Sequence, residues 1–373
     1  MSVTVGDIVA YLKELAPLSL KESWDNPGLL VGNPEEPVQK VMTTLDVMKE
    51  GVAYAVAQGV QLIVSHHPII MKGVKALRTD TYDGQLYQQL LSHHIAVYCA
   101  HTNLDSARGG VNDVLAERLQ LQHTAVFIPG WEDALYKIVV YVPHTHAAQL
   151  RSVLGKAGAG YIGKYRDCSF SVSGQGRFTP QDGTHPFIGM PGKAETVAEE
   201  RIETIVPGSR LSAVIETMVA AHPYEEPAYD IYPLKNEGEK LGLGRVGMLP
   251  KPLSGTEALH RVKEALGVQT LAFAGNTEVM VRKVAVLGGS GADFISQAKA
   301  AGAQLYVTGD VKYHVAQEAI KAGILLADGG HYGTESPVVP VLCRQLEQAA
   351  KERGWQLECL IDPTSCDMIQ HLR

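Results

Sequence analysis

Several common features are missing from this 373-residue sequence, and each absence excludes a class of protein. Its five cysteines are scattered and never form a Cys-x-x-Cys pair, which argues against a disulfide framework or a zinc ribbon. There is no lysine- or arginine-rich block and the net charge is −7, so no electrostatic footprint for nucleic acid is present. No apolar run approaches a membrane span, and the first residues lack a signal-peptide pattern. We therefore expect a soluble cytoplasmic protein with no membrane partner.

The sequence does contain an internal repeat at an offset of 243 residues. Segment 38–41 aligns with 281–284, and segment 57–65 aligns with 300–308. Each copy reads as strand, helix, glycine turn and strand, followed by a further helix and strand, which predicts βαβ units and a largely parallel core. Chance likeness between two βαβ units is the alternative, but matching Gly, Gln, Leu and Val at identical spacing favours duplication. The predicted fold class is α/β, with two pseudo-repeated βαβ halves forming one domain.

A segment of different character, roughly residues 134–235, separates the two halves. Its strand-like and helix-like stretches follow the order β-α-β-β-α-β, which is the pattern of an α+β ferredoxin-like domain. We interpret it as a domain inserted in a surface loop, with a Gly/Pro/Asp-rich loop at 174–192 and a linker at 237–244. The predicted boundaries are 1–130 and 237–373 for the two halves of the outer domain and 131–236 for the insert.

Candidate metal ligands follow three of the predicted strands, and ligands gather at the carboxyl ends of strands in open α/β sheets. Three imidazoles and two carboxylates exceed the needs of one tetrahedral zinc with an open position, but they suit two metals sharing a carboxylate and a water. The carboxylate of Glu335 is the candidate bridge, because its two oxygens can bind two cations. Imidazole and carboxylate ligands suit zinc, iron and manganese alike, so the identity of the metal stays open. The candidates are His66, His67, Asp105, His331 and Glu335.

Other polar residues beside these positions are candidates for proton transfer. His101, four residues before Asp105, is a hydrogen-bonding partner of a ligand, a proton carrier or a buried structural histidine. Asp310 and His314 follow a strand of the second half, where they could support a ligand or act as an acid–base pair. We therefore take His101, Asp310 and His314 as candidate catalytic residues.

Two turns have both a functional and a structural interpretation. Trp24, Asp25 and Asn26 precede a Pro-Gly turn, where they either line a pocket and contact substrate or, for Trp24, belong to the core. The glycine-rich segment 288–291 follows a strand and opens a helix, which is the geometry of a phosphate cradle. It lacks the Lys-Ser/Thr signature of a P-loop, and a tight turn explains its glycines as well.

Four ordered motifs resemble those of the NGG-interacting-factor-three family, whose members carry the label GTP cyclohydrolase 1 type 2 homologue. The motifs are WDNPGL at 24–29, SHHP at 65–68, HTNLD at 101–105 and GHYGTE at 330–335. The resemblance implies a dimetal centre on the same five candidate ligands and a toroidal homohexamer. The insert is typical of the longer bacterial form, and its AHPYEEP segment at 221–227 looks like the closing motif of PII-type and divalent-ion-tolerance domains.

Two classes of function follow from these features. The first is a metal-dependent hydrolase with two divalent cations per subunit, for which the resemblance implies GTP cyclohydrolase-like activity on a nucleotide. The second is a non-catalytic metal-binding or regulatory hexamer whose insert binds an effector or partner. A catalyst requires an open coordination position and acid–base groups, whereas a storage site requires neither.

Overall fold

The computed structural model describes residues 3–370 and divides into two compact units. The larger unit combines the chain up to Trp131 with the chain from Leu241 onward, and the smaller unit is Glu132–Lys240. Within residues 3–370, no helix combines the length and the apolar character needed to cross a lipid bilayer.

The first stretch of the larger unit alternates short strands and helices. In chain order they are β1 (Val3–Thr4), α1 (Val5–Leu15), β2 (Gly28–Val31), β3 (Pro37–Val38), β4 (Lys40–Thr44), α2 (Lys49–Gln58), β5 (Leu62–Ser65), α3 (Tyr82–Ser92), β6 (Ala96–Cys99), α4 (Thr102–Ser106), α5 (Val111–Arg118) and β7 (Gln122–Asp133).

The smaller unit and the second stretch of the larger unit follow. The smaller unit contains β8 (Leu135–Pro143), α6 (His144–Lys156), β9 (Ser169–Phe178), β10 (Glu195–Pro207), α7 (Leu211–Ala221) and β11 (Tyr229–Pro233). The elements after it are β12 (Glu239–Ser254), α8 (Gly255–Leu266), β13 (Ala272–Ala274), β14 (Met280–Val286), α9 (Ile295–Ala300), β15 (Leu305–Thr308), α10 (Tyr313–Ala322), β16 (Leu325–Asp328), α11 (His331–Glu335), α12 (Val339–Arg353) and β17 (Glu358–Ile361).

The larger unit contains two main sheets, and the central strands of each are parallel. The first has the order β17-β4-β5-β6-β2, in which only β2 is antiparallel to its neighbour. The second has the order β13-β16-β15-β14-β12-β7, with β14, β15 and β16 parallel and β13 antiparallel on the edge. Every residue of β5 and of β15 is buried, as expected for central strands covered on both faces.

Local bonding is also alike in the two halves. Oε1 of Gln61 accepts the backbone N–H groups of residues 39–40, both at 2.9 Å, and Oε1 of Gln304 accepts those of residues 282–283 at 3.2 and 2.7 Å. Gln304 lies 243 positions after Gln61. The helices α1 and α8 both begin with a capping box. In it, the residue before the helix and the third helical residue each accept the other's backbone N–H with their side chain.

The segment at 237–244 is not a linker throughout, because β12 begins at Glu239 and continues to Ser254. Its glycines serve close approach between strands instead of flexibility. A Cβ on Gly242 would overlap the backbone of β7, and a Cβ on Gly244 would overlap the ring of Phe127. Both glycines have positive φ, which other residues rarely adopt. Glycine content alone therefore gave the wrong interpretation of this segment.

The smaller unit is a four-stranded antiparallel sheet with the order β11-β8-β10-β9. Buried side chains of β8 and β10, including Val140 and Ile202, pack with those of α6 and α7, including Leu150 and Val214. The loop predicted at 174–192 is shorter in the structure, because β9 continues to Phe178 and pairs with β10 along its length. Serines and glycines are tolerated there because β9 is an exposed edge strand.

Candidate metal centre

The candidate ligands lie at the carboxyl ends of parallel strands in both sheets of the larger unit. His66 and His67 directly follow β5, and Asp105 lies in α4, which follows β6. His331 and Glu335 are the first and last residues of α11, which follows β16. A short helix at a strand end holds residues i and i+4 on one face, so these two side chains meet. The two sheets therefore bring residues distant in sequence to one place.

Glu335 is the central residue of this cluster. Its Oε2 lies 2.8 Å from Nε2 of His67 and 3.1 Å from Nε2 of His331, and its Oε1 lies 3.7 Å from Nε2 of His66. Nε2 of His66 is also 3.6 Å from Oδ1 of Asp105. The Nε2 atoms of His67 and His331 are 3.3 Å apart. Three predicted ligand imidazoles thus converge on the carboxylate of Glu335, and Asp105 joins the cluster beside His66.

Two of the imidazoles are oriented by carboxylates outside the cluster. Nδ1 of His67 lies 2.7 Å from Oδ1 of Asp46, and Nδ1 of His331 lies 2.7 Å from Oδ2 of Asp310. An ionised carboxylate can only accept, so Nδ1 carries the proton in both rings. This arrangement leaves Nε2 facing the cluster, and it is the usual way in which proteins hold histidine ligands of metals.

His66 and Asp105 contain two of the few buried side-chain polar atoms in residues 3–370 that have no hydrogen-bond partner, Nε2 and Oδ1. Nδ1 of His66 donates to the carbonyl of Ala100 at 2.8 Å, which leaves a lone pair on Nε2. An unpaired buried polar atom costs about 1–3 kcal/mol. Two ligand atoms about 2.1 Å from a tetrahedral metal lie about 3.4 Å apart, close to the separation of these two. The donor set therefore fits a divalent cation.

The pKa values of the cluster residues also indicate that the cluster favours bound positive charge. Burial lowers the pKa of His67, but hydrogen bonds to Asp46 and Glu335 outweigh it and raise the pKa to about 10. The hydrogen bond to Glu335 raises the pKa of His331 to about 9 despite burial. Burial raises the pKa of Asp105 to about 6, whereas neighbouring imidazoles hold the pKa of Glu335 well below its ordinary value despite burial. Without a metal, protons supply this charge.

His101 lies beside the cluster and is also held by a carboxylate. A ring nitrogen of His101 lies within 4.8 Å of ring nitrogens of His66 and His67. Its Nδ1 lies 2.8 Å from Oδ1 of Asp25, whose Oδ2 accepts the backbone N–H and the hydroxyl of Thr102. Burial opposes ionisation of Asp25, but these hydrogen bonds lower its pKa to about 2. Asp25 is therefore a permanent acceptor that leaves Nε2 of His101 available.

The predicted substrate-contacting residues have different surroundings. The side chain of Asp25 is buried and used by His101 and the following turn, so it has no free surface for a substrate. Nδ2 of Asn26 donates to the carbonyl of Ile70 at 2.7 Å, which joins two loops beside the cluster. Trp24 is 62% exposed, and its ring meets that of His101 edge-on at 6.0 Å. Trp24 is thus a surface residue next to the site and not part of the core.

The other two residues predicted for proton transfer lie at the edge of the site. Asp310 has a φ of 56° and places its carboxylate on Nδ1 of His331. His314 is exposed on α10, where Nδ1 lies 3.1 Å from Oε1 of Gln317. Asp310 therefore orients His331, a candidate ligand, and His314 makes its hydrogen bond along the helix surface.

Asp46, which orients His67, is not among the residues predicted from the sequence. Asp46 comes two residues after β4, next to the strand that carries His66 and His67. The hydroxyl of Thr44 donates to the backbone carbonyl of Asp46 and so holds the turn in place. The available signal was its position, because a carboxylate after the strand adjacent to a ligand-bearing strand lies at the same edge of a parallel sheet.

The glycine-rich segment 288–291 forms a wall of the cluster instead of a phosphate cradle. Its N–H groups at 288, 289 and 291 already donate to polar side chains of neighbouring segments. A Cβ on Gly289, whose φ is 64°, would overlap the carboxylate of Glu335. These glycines allow the backbone to approach the central carboxylate, as the turn interpretation implies.

Comparison with known proteins shows which family and which solved structures this chain resembles. Residues 3–366 match the family model described as Duf34/NIF3 (NGG1p interacting factor 3). The chain is 43% identical to a protein of Halalkalibacterium halodurans over 98% of this chain and 99% of the relative, and 43% identical to a protein of Bacillus subtilis over 97% of each. Both are named GTP cyclohydrolase 1 type 2 homolog. A solved Bacillus cereus protein related to NIF3 covers 100% of both chains with 41% identity and a TM-score of 0.94.

Proposed function

The chain belongs to the Duf34/NIF3 family, and we propose that its larger unit binds two divalent cations and uses them to hydrolyse a nucleotide. The observation that carries the proposal is the convergence of three Nε2 atoms on Glu335, with a second carboxylate, that of Asp105, beside one of them. The substrate class rests on the name GTP cyclohydrolase 1 type 2 homolog, which the relatives carry. The cations would be zinc, iron or manganese, since all three accept imidazole and carboxylate.

The distances support two subsites that share one carboxylate. His66 and Asp105 would hold one cation together with Oε1 of Glu335, because these atoms lie 3.6–3.7 Å from Nε2 of His66. His67 and His331 would hold the other together with Oε2 of Glu335, because these three atoms lie 2.8–3.3 Å from one another. Glu335 would bridge the pair.

The residues around the subsites would perform the proton transfer. When bound, the cations would lower the pKa of a shared water toward neutrality and polarise the attacked centre of the substrate. His101 would accept a proton at Nε2 while Asp25 holds the proton on Nδ1, which keeps the ring in the required tautomer. Asp310 would orient His331 and would not move protons itself. Trp24 would stack a heterocycle beside His101, since aromatic stacking contributes about 1–3 kcal/mol per base.

Metal content and GTP turnover, measured on the same preparations, test this proposal. We expect the metal-loaded protein to hydrolyse GTP. His67→Ala should lose a cation and the activity, because it removes one donor of three around that subsite. His314→Ala is the matched control, since it removes an exposed histidine of the neighbouring helix and should retain both. Full turnover by His67→Ala would contradict the assignment. Metal-loaded protein that leaves GTP intact would favour the non-catalytic alternative.

We also infer the architecture in which this site works. The smaller unit would be an inserted ferredoxin-like domain, an interpretation supported by its element order and by its sheet order β11-β8-β10-β9. The two halves of the larger unit would descend from one duplicated βαβ unit, supported by their shared strand order and by Gln61 and Gln304. A homohexamer is the assembly we propose from the family. Sedimentation at micromolar concentration checks it, and a monomer would exclude it.

A further inference from the structure

A cavity in the larger unit lies beside the candidate metal centre and has no role in the proposed hydrolysis. Its volume is about 180 Å³, and it lies between the turn at 19–22, Ser106 and the strands β7 and β12. Because a water occupies about 30 Å³ in the liquid, this cavity has room for about six waters. Typical sites for drug-sized ligands measure about 300–1,000 Å³, so the cavity suits a smaller metabolite and not a nucleotide.

The lining of this cavity carries one charge of each sign. Lys21 and Glu22 are adjacent on the turn and both contribute to the wall. Nζ of Lys21 donates to the backbone carbonyl of Asp25 at 3.2 Å, which leaves two of its three N–H groups available. Within residues 3–370, the carboxylate of Glu22 has no hydrogen bond or ion pair. A ligand with a carboxylate and an ammonium close together would pair with both groups.

The rest of the wall is largely apolar. Ile128 and Trp131 come from β7, and Leu241 and Leu243 come from β12. Trp131 and Leu241 also pack against the core of the unit, so they hold their positions and form a firm surface. An indole beside aliphatic side chains accepts an apolar group of similar size through burial and dispersion. Ser106 adds a polar residue to the wall.

The same lining residues contact the supports of the metal centre. Glu22 donates its backbone N–H to the hydroxyl of Thr102 at 2.9 Å, and that hydroxyl bonds to Asp25, the partner of His101. Ser106 follows the candidate ligand Asp105 in α4. A ligand that shifts the turn or α4 would therefore alter the positions of His101 and Asp105.

We propose that this cavity binds a free α-amino acid with an apolar side chain and that its occupancy alters metal affinity at the neighbouring centre. Lys21 pairs with the ligand carboxylate, Glu22 pairs with its ammonium, and Trp131 and Leu241 contact its side chain. The binding step does not depend on the proposed hydrolase activity, so it can be tested in protein that turns over no nucleotide.

Isothermal titration calorimetry of the full-length, metal-loaded protein tests the two charged contacts separately. The probes are L-leucine, L-leucinamide, which lacks the carboxylate, and 4-methylpentanoate, which lacks the ammonium. We expect L-leucine to bind and each half-probe to bind more weakly. Lys21→Gln should weaken L-leucine about 10- to 100-fold and leave L-leucinamide unchanged, because only the carboxylate contact is lost. Glu22→Gln should weaken L-leucine similarly and leave 4-methylpentanoate unchanged.

Two exposed residues away from the cavity provide matched controls. Lys13→Gln and Glu35→Gln remove the same charges and should leave the affinity for L-leucine unchanged. If neither L-leucine nor any other standard amino acid binds at millimolar concentration, the proposal is overturned. Equal affinity for L-leucine in the two cavity variants and in the parent protein overturns it as well. A circular dichroism spectrum of each variant confirms that a loss of binding is not a loss of fold.

Metal titration with and without L-leucine tests the coupling. Linkage requires that if the amino acid changes metal affinity, the metal changes amino-acid affinity by the same factor, typically 5- to 150-fold. We expect such a reciprocal change, and we expect Glu22→Gln to reduce it at the lowest L-leucine concentration that saturates the parent protein. Binding of L-leucine with no change in metal affinity would contradict the coupling.

Discussion

The two halves of the larger unit place their strands alike but use the strand ends differently. β5 is followed by His66 and His67, whereas β15, 243 positions later, is followed by Gly309 and Asp310. A Cβ at Gly309 would collide with the backbone of neighbouring loops, so position 309 has no room for an imidazole. Asp310 instead supports a histidine of the cluster. Equivalent strand ends of a repeated backbone can thus supply candidate ligands in one copy and close packing and orientation in the other.

The next strand ends are more alike. α4 and α11 are both five-residue helices that follow a parallel strand, and each has a histidine at its start and a carboxylate four residues later, with His101 just before α4 and His331 as the first residue of α11. The pairs are His101 with Asp105 and His331 with Glu335, and each imidazole contacts a supporting carboxylate through Nδ1. The difference lies at Nε2, which is 3.1 Å from Glu335 in His331 but, within residues 3–370, forms no such ion pair in His101. We infer that His331 binds metal and that His101 exchanges protons.

The largest expected effect is a difference in metal content between alanine variants of the two carboxylates. Glu335→Ala should leave the protein without either cation, because it removes the atom pair that both subsites share. Asp105→Ala should leave one cation in place, held by the histidines of the other subsite. Inductively coupled plasma mass spectrometry of protein dialysed in trace metal measures the ratio directly. Glu318→Ala, on the exposed face of α10, is the control and should retain both cations. Equal metal loss in the two cluster variants would refute the bridging role.

The next effect is a difference in metal content and turnover between alanine variants of His331 and His101. His331→Ala should lose one cation, because its Nε2 lies among the donors of one subsite. His101→Ala should keep both cations while turnover falls about 10²- to 10⁴-fold, the usual contribution of a general base. Metal analysis and GTP turnover on the same samples distinguish the two. If His101→Ala also loses a cation, His101 is a ligand and the likeness between α4 and α11 extends to their chemistry.

The convergence of the candidate ligands was predictable from sequence because it depends on two local facts, residue type and position after a strand. His66, His67, Asp105, His331 and Glu335 met both conditions, and they converge as the topology requires. The residues that support the imidazoles were harder to predict from the sequence, because a carboxylate that contacts the far side of an imidazole has no sequence pattern of its own. Side-chain orientation after a turn decides such contacts, and the turn geometry emerges only from packing.

The substrate-contacting residues illustrate the same limit. Trp24, Asp25 and Asn26 are adjacent in the chain, and the sequence offered one interpretation for all three. In the structure their side chains point into different surroundings, with one exposed, one buried behind His101 and one bonded to another loop. The glycines at 242 and 244 show a related failure, since a linker and a tightly packed strand can have the same composition. Composition reports flexibility only where nothing packs against the backbone.

An intermediate effect concerns pH, and it distinguishes the metal-free from the metal-loaded centre. In the metal-free centre the pKa values of His67 and His331 are raised to about 10 and about 9, so both rings are protonated at neutral pH. Metal binding must displace these protons, and metal affinity should therefore rise with pH by up to about tenfold per unit for each proton released. The increase should level off above about pH 10, where both rings are neutral.

The stability of the metal-free protein should have the opposite pH dependence. A histidine whose pKa is raised in the folded state stabilises the fold fully below its ordinary pKa of about 6.5 and loses that contribution as pH rises through the raised value. Thermal unfolding of chelator-treated protein should therefore show a lower Tm at pH 9.5 than at about pH 7, with a smaller change when metal is bound. Metal affinity that is independent of pH would indicate neutral imidazoles in the free centre and contradict both expectations.

The smallest effect tests the likeness of the two halves where no metal is involved. Gln61 and Gln304 are both half-buried, and each side-chain oxygen accepts two backbone N–H groups at the start of a neighbouring strand. Alanine at either position should cost about 1–3 kcal/mol of unfolding free energy, since it leaves these donors without their acceptor. If the halves are physically equivalent, the two losses in urea denaturation should agree within about 0.5 kcal/mol and should add in the double variant. Gln58→Ala, on the exposed end of α2, should change stability by less than about 0.5 kcal/mol. Clearly unequal losses would mean that the equivalent hydrogen bonds contribute differently to the unfolding free energy. The two sheets would then be alike in geometry but not in how their residues contribute to stability.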